Sequence, residues 1–307
     1  MDRLEAMSFL VAVMETGSFS AASRRLGVPL PTLSRRVAEL EAALGAKLMI
    51  RSTRKLTLTE AGAGYLDRCR EILEQVGEAE RAVSGEYRTP SGNLVVTAPI
   101  VFGRLHLLPI IDDFLAAFPK VRVRLRLSDG MLHLLDDHID VALRIAVLPD
   151  SSLVASTVGT VCRVIVASPR YLAGHGTPRT LDDLLNHSCV TFEGVSPPSG
   201  WHVTPKGSGT TTVPVLPRLS VDTAEAAIDA AIAGVGLTQV LSYQVGKAVE
   251  EGKLRLVLRE FEPEPVPVSL LHTGQAPMPG KVRSFLDFAL PRLRASLAHD
   301  KERLTAP

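Results

Sequence analysis

Arginines stand in two adjacent pairs, Arg24–Arg25 and Arg35–Arg36, within the stretch FSAASRRLGVPLPTLSRRVAELEAALG. A guanidinium presents its N–H donors as a planar fork that matches a phosphate or the O6/N7 edge of guanine. The chemistry such a cluster suits is recognition of a polyanion rather than bond breaking. From Arg24 to Lys55 there are eight Lys/Arg against two acids, Glu39 and Glu41, in a chain whose net charge is only +1. A basic patch on a nearly neutral chain is the electrostatic footprint of phosphate binding.

Other reactive residues form no comparable constellation. Cys69, Cys162 and Cys189 are scattered and make no CxxC pair, which argues against a disulfide framework and a redox switch. HLLDDHID gathers His133, Asp136, Asp137, His138 and Asp140, but on a helix followed by a strand these side chains diverge instead of converging on a metal. AGVGL lacks the third glycine of a dinucleotide fingerprint and follows a helix rather than a strand. The eight histidines show no nucleophile–base–orienter set. The expectation is therefore a non-enzyme with no cofactor and no metal. No secretory leader and no bilayer-length apolar run is found, so a cytoplasmic protein without membrane attachment is expected.

The elements that must position the arginines can be read from periodicity and punctuation. Leu4, Met7, Phe9, Leu10, Val11, Val13 and Met14 predict a first helix ending near Thr16-Gly17. Ser18 caps a second, which runs to Leu26 and stops at Gly27. The third starts at Pro31 or Thr32 and ends at Gly45. Three short helices with a glycine turn before the third are the helix-turn-helix plan. KLMIRSTRKLTLT then reads as two short strands joined by a basic turn, a wing. On a helical wheel Leu33, Val37, Leu40 and Leu44 form the packed face of the third helix, with Arg35 nearly opposite and Ser34 and Arg36 on the shoulders. The residues assigned to DNA are Ser20 and Arg25 of the second helix and Pro31, Thr32, Ser34, Arg35 and Arg36 of the third. Arg51, Arg54 and Lys55 add the wing. Only Arg35 faces outward strongly enough to expect a base contact.

Thr59 caps a fourth helix predicted to run to Tyr87. Tyr65, Cys69, Ile72, Val76, Ala79 and Val83 recur at alternating spacings of four and three, a heptad seam. A helix with so narrow a seam is expected to pair with a second copy. RTPSGN, residues 88–93, reads as a hinge. Beyond it the pattern becomes α/β: strands at Leu94–Ala98, 121–127 and Ile139–Ile145 and a helix at Arg104–Phe118 predict a parallel sheet. A second set has strands at Val164–Ala167, Val190–Phe192, Leu219–Val221 and Leu237–Leu241 and a helix at Thr223–Ala233. Return through Val266–Leu271 to a helix over Lys281–Leu297 gives two lobes, about 94–162 with 267–307, and about 163–266. Arg122, Arg124 and Arg126 share one face of a strand expected at a sheet edge.

Residues Leu4 to Gly64, through FLVAVMETGSFSAASRRLGV, LSRRVAELEAALGAKL and RKLTLTEAG, resemble the DNA-binding domain of LysR-type transcriptional regulators. TAPIVFGRLHLLPIIDDFLAAFP, IDVALRI, PDSSLVASTVG, VIVASPRYL and GVGLTQVLSYQV are similar to effector-domain segments of that family, in the family's order. The resemblance implies an N-terminal winged helix-turn-helix (1–58), a linker helix (59–87) and a two-lobed α/β effector domain (94–307) resembling type 2 periplasmic binding proteins. It also implies a double-stranded DNA operator, a homodimer through the linker helix extended to a homotetramer, RNA polymerase as partner, and a small effector between the lobes. The matching effector positions are Ala98, Pro99, Ile100, Ser128, Arg144, Asp222 and Thr223. A helix N-terminus at Pro99–Gly103 and the cation Arg144 favour a carboxylate; Asp222 opposes one and is an alternative cap for the helix at Thr223. Pro29-Leu30 replaces the family's Ser-Gln, so the usual glutamine contact is absent and specificity is expected to fall on Thr32, Ser34 and Arg35. The competing reading is an α/β ligand-binding protein or enzyme with a basic N-terminal interaction domain.

Overall fold

The structure is a computed structural model that describes residues 2–51, 56–84, 90–130, 139–149, 151–192, 200–205, 208–274 and 278–305. The chain divides into two compact units, Met1–Thr89 and Pro90–Pro307.

The first unit holds α1 (Arg3–Thr16), α2 (Phe19–Leu26), α3 (Leu30–Leu44), the strands β1 (Met49–Arg51) and β2 (Leu56–Leu58), and α4 (Glu60–Ser84). Each short helix is bounded by its own chemistry. Asp2 Oδ1 accepts the N–H of Leu4 at 3.0 Å, and Ser18 Oγ accepts that of Ala21 at 3.1 Å. Gly17, Gly27 and Gly45 end α1, α2 and α3 at φ 73°, 66° and 63°, a region that favours glycine. α3 begins one residue earlier than expected, with Pro31 in its first turn, where a missing N–H costs nothing. Phe9, Leu10 and Val13 of α1 pack with Leu33, Val37 and Leu40 of α3 and with Leu66 and Cys69 of α4. β1 and β2 pair antiparallel, with Ile50 opposite Thr57. Thr59 caps α4, its Oγ1 accepting the Gly62 N–H at 2.9 Å. Gly62 is required sterically, because a Cβ there would overlap the Leu48 carbonyl.

The second unit opens with β3 (Gly92–Ala98) and a continuous helical stretch: α5 (Ile100–Phe102), a π-helical turn (Gly103–Leu107) and α6 (Leu108–Ala117). The stretch starts four residues before the expected Arg104. β4 (Val121–Leu127), β5 (Val141–Ile145) and β6 (Leu153–Val161) complete the first pass. The chain then builds β7 (Arg163–Ala167), α7 (Pro169–His175), β8 (Cys189–Phe192), the hairpin β9 (Trp201–Val203) and β10 (Thr211–Val213), and β11 (Pro217–Val221). α8 (Ala224–Ile232), β12 (Leu237–Leu241), α9 (Ser242–Glu250) and β13 (Arg255–Val257) follow, before the return through β14 (Val266–Thr273) into α10 (Gly280–Thr305).

Two five-stranded sheets result, in the orders β4-β3-β5-β14-β6 and β11-β8-β12-β7-β13. β3 runs parallel to β4 and β5 as expected, and β8 parallel to β11 and β12, but neither sheet is wholly parallel: β14 runs antiparallel to β5 and β6, and β7 antiparallel to β12 and β13. β14 re-enters the first sheet from the second lobe and so arrives in the opposite direction. β4, carrying Arg122, Arg124 and Arg126, is an edge strand. Leu94, Val96, Leu143, Val268 and Leu270 share one core with Phe102, Phe114, Phe285 and Leu293 of the helices.

Candidate nucleic-acid interface and inter-lobe site

The turn into α3 is fixed from both sides. Ser23 Oγ donates to the Val28 carbonyl at 2.6 Å, and Val28 N donates to Ser23 O at 3.2 Å. α3 thereby presents Pro31 and Arg35 to solvent, with Thr32 and Ser34 half-buried. Arg35 is 68% exposed and lies 3.8 Å from Glu39, a surface pair worth little in water. Arg25 is exposed beside Glu15, at 2.7 Å, and Ser20 is exposed on the same helix.

Arg36 differs. Its side chain is 29% exposed, with Nε 3.2 Å from Glu5 of α1 and Nη1 3.2 Å from Glu39. This corrects its placement on a free shoulder: the guanidinium braces α3 against α1. Arg54, Lys55 and the side chain of Arg51 lie outside the described residues, so the wing is defined by β1 and β2 alone.

From the sequence Glu41 reads only as an acid in a basic stretch, yet it holds the wing's root. Its side chain is 6% exposed. Oε1 accepts the N–H groups of Leu48 at 2.9 Å and Met49 at 3.2 Å, and Oε2 pairs with Lys47 at 3.0 Å. Burial acts to raise its pKa, but Lys47 and the two backbone donors outweigh it and hold the carboxyl below its usual range. On the wheel Glu41 falls about 40° outside the arc of Leu33, Val37, Leu40 and Leu44, so period alone does not mark it as buried.

The α4 seam also needs correction. Cys69 is fully buried and Tyr65 half-buried in the core of the same chain, because α1 packs against α4. Ile72 is 38% exposed and Val76 half-exposed. The side chains of Ala79 and Val83 lie outside the described residues.

In the second unit, the first turns of two helices meet. Arg104 of the π turn donates to Glu225 of α8 at 2.6 Å. Phe102 and His106 contact Tyr243 of α9 with ring centroids 5.1 and 5.5 Å apart. His106 Nδ1 is 2.8 Å from Ser296 Oγ, and Nε2 is 3.3 Å from Asp300. Burial lowers the pKa of His106 against the opposing pull of Asp300. At the crossing point Cys162 and Ser242 exchange hydrogen bonds at 2.8 and 3.1 Å.

The seven effector positions fare unevenly. Ala98 is buried and Pro99 and Ile100 half-buried at the end of β3, with Ser128 beside them donating its N–H to the Ala98 carbonyl at 3.0 Å. The Ile100 N–H already donates to Asp129 Oδ1 at 3.0 Å. The helix start expected to be open to a ligand anion therefore carries an internal carboxylate. Burial, then the charge of Asp129, raise the pKa of Tyr243. Thr223, not Asp222, caps α8, its Oγ1 accepting the Ala226 N–H at 3.3 Å; Asp222 is exposed. Arg144 is half-buried, donates to the Leu143 carbonyl at 3.2 Å, and has its pKa lowered by burial. Alternation sends it to the face of Ala142 and Ser269, opposite the face on which α5 and α6 pack.

The three cysteines are free, and burial pushes the Cys189 thiol up to about 12. Among the described residues no His/Cys/Asp/Glu group is placed to hold a metal ion; His133, Asp136, Asp137 and His138 lie outside them. No described helix is long and apolar enough to cross a membrane.

Residues 4–63 match the bacterial regulatory helix-turn-helix protein, lysR family, and residues 88–294 match the LysR substrate binding domain. The chain belongs to the LysR family of transcriptional regulators. It is 34% identical to an HTH-type transcriptional repressor of Pseudomonas aeruginosa over 94% of this chain and 92% of that one. The structure of the LysR-type regulator CrgA from Neisseria meningitidis aligns with a TM-score of 0.61 at 31% identity, covering 94% of this chain and 98% of CrgA. The full-length virulence activator AphB of Vibrio cholerae aligns equally well, with a TM-score of 0.61 at 28% identity over 94% and 99% of the two chains. As a LysR-type regulator the chain is a DNA-binding protein with a substrate-binding domain and not an enzyme.

Proposed function

We propose that this LysR-type regulator reads its operator through α3 and the wing, and that a small carboxylate bound between the lobes of the second unit modulates transcription. The observation carrying the effector reading is the Arg104–Glu225 ion pair at 2.6 Å, which ties the first turns of two helices from different lobes. A ligand seated beside it can prefer one lobe arrangement over another, and only such a preference shifts the equilibrium between them. Cytoplasmic location and contact with RNA polymerase complete the reading.

The position of Asp129 refines it. A carboxylate effector has to displace Asp129 from the Ile100 N–H, so the protein's own side chain competes for the subsite. Asp129→Ala removes the competitor. It is expected to tighten binding of small carboxylates about tenfold, since a hydrogen bond to a charged group contributes about 1.5–3 kcal/mol. The check is a thermal-shift screen of a carboxylate panel on wild type and variant. Larger ligand-induced shifts for the variant support the reading. Equal shifts, or none in either protein, count against a carboxylate at this place.

Assembly rests on what α4 leaves uncovered. Ile72 and Val76 are the described seam residues still accessible once α1 has covered Tyr65 and Cys69, so dimerisation falls on the later turns of the helix, with effector-domain contacts extending the dimer to a tetramer. Ile72→Asp places a charge where an apolar interface cannot pair it. Sedimentation should show the α4-mediated dimer lost; an unchanged association state at micromolar concentration would remove the seam from the interface.

A further inference from the structure

Leu30 is the first residue of α3 and stays 41% exposed. Its backbone is held more firmly than an exposed position requires. Pro29, at φ −55°, precedes it and Pro31 follows, and each ring fixes its own backbone angle. Leu33 N donates to the Pro29 carbonyl at 3.1 Å, and the Ser23–Val28 pair locks the turn before it. A branched apolar side chain is thus anchored in solvent at the end of the helix that a helix-turn-helix directs at base edges.

The major-groove edge of a base pair offers donors and acceptors throughout, with one apolar feature, the C5-methyl of thymine. Leucine has no donor or acceptor. Against any other edge it would strip water from polar atoms and replace none of their hydrogen bonds. We propose that Leu30 is a specificity residue that reads a thymine methyl, so that each operator half-site carries a T·A pair under the N-terminus of α3. This rests on α3 being the recognition helix, and it adds Leu30 to Thr32, Ser34 and Arg35, on which specificity is expected to fall.

The test uses the full chain and duplexes that it selects from a randomised pool. Each thymine of the selected site is replaced in turn by deoxyuridine, which removes only the methyl. At one thymine per half-site the wild-type protein should lose about fourfold in affinity, the size expected for burying one methyl group. Leu30→Ala should bind the thymine and deoxyuridine duplexes alike, and Leu30→Gln should shift the preference at that position towards adenine, whose N6 and N7 pair with an amide. Leu30 is exposed, so neither change threatens the fold. Wild-type affinity unchanged by deoxyuridine at every thymine, or a methyl effect that persists in Leu30→Ala, overturns the role of Leu30 while leaving α3 as the reading helix. If no sequence is selected at all, the recognition-helix reading falls and takes this proposal with it.

Discussion

Arg35→Ala is expected to weaken binding to the selected operator by about 1–3 kcal/mol and to relax the preference at a single base position. Arg35 is 68% exposed and its nearest acid, Glu39, stands 3.8 Å away across solvent, so little is given up when the guanidinium turns to a guanine edge. Its neighbour is the internal control. Arg36 is engaged by Glu5 and Glu39, each at 3.2 Å, and freeing it to reach DNA would loosen α3 from α1. Arg36→Ala should therefore weaken selected and scrambled duplexes about equally, through the fold of the reading head. Anisotropy titrations of both variants against both duplexes separate the two roles. An Arg35→Ala protein that discriminates as wild type does would mean that the outward face of α3 is not the reading face.

The contrast between these arginines shows where a sequence stops being legible. Helix limits in the first unit were readable where they are set locally, by Ser18 at the start of α2 and by Gly17, Gly27 and Gly45 at the ends. The buried arc of α3 was readable from period alone. The partners of Arg36 were not, because Glu5 lies on another helix and no local pattern relates the two. The same limit governs α4: a heptad seam announces an apolar stripe but not what covers it, and α1 of the same chain covers Tyr65 and Cys69. In the second unit, strands with continuous apolar runs could be found, yet their direction depends on which lobe the chain enters from. What already occupies the expected anion site was hidden for a related reason. A helix start attracts negative charge, but the nearest one is the chain's own Asp129, 29 residues away in sequence and bonded to Ile100 at 3.0 Å.

Glu41 shows the same limit, since its place beside the apolar arc of α3 does not reveal that it is buried. A carboxylate among leucines persists only if its charge is matched, and here two backbone N–H groups and Lys47 match it. Those donors belong to the residues where the wing begins. Thr59, the cap of α4, bonds to the Lys47 and Leu48 carbonyls at 2.7 and 3.3 Å, so one short segment ties α3, the wing and α4 together. Glu41→Ala leaves two buried N–H groups without an acceptor and should cost about 2–4 kcal/mol. Hydrogen exchange of the full chain, read on peptides spanning residues 41–51, should show protection of Leu48 and Met49 falling by about two orders of magnitude. DNA affinity should fall as well, although Glu41 itself touches no DNA. Glu41→Gln keeps an acceptor and loses only the charge, so it should cost less and do so in a pH-dependent way. The folded-state pKa lies below the ordinary value of 4.5. The stabilisation from the charged form is therefore present above that value and lost as pH falls through the folded-state pKa. Wild type should thus be better protected than Glu41→Gln at pH 7, and the difference should close in acid. Equal protection of the two proteins at pH 7 would show that the charge of Glu41 contributes nothing, and unchanged protection in Glu41→Ala would show that the wing is rooted elsewhere.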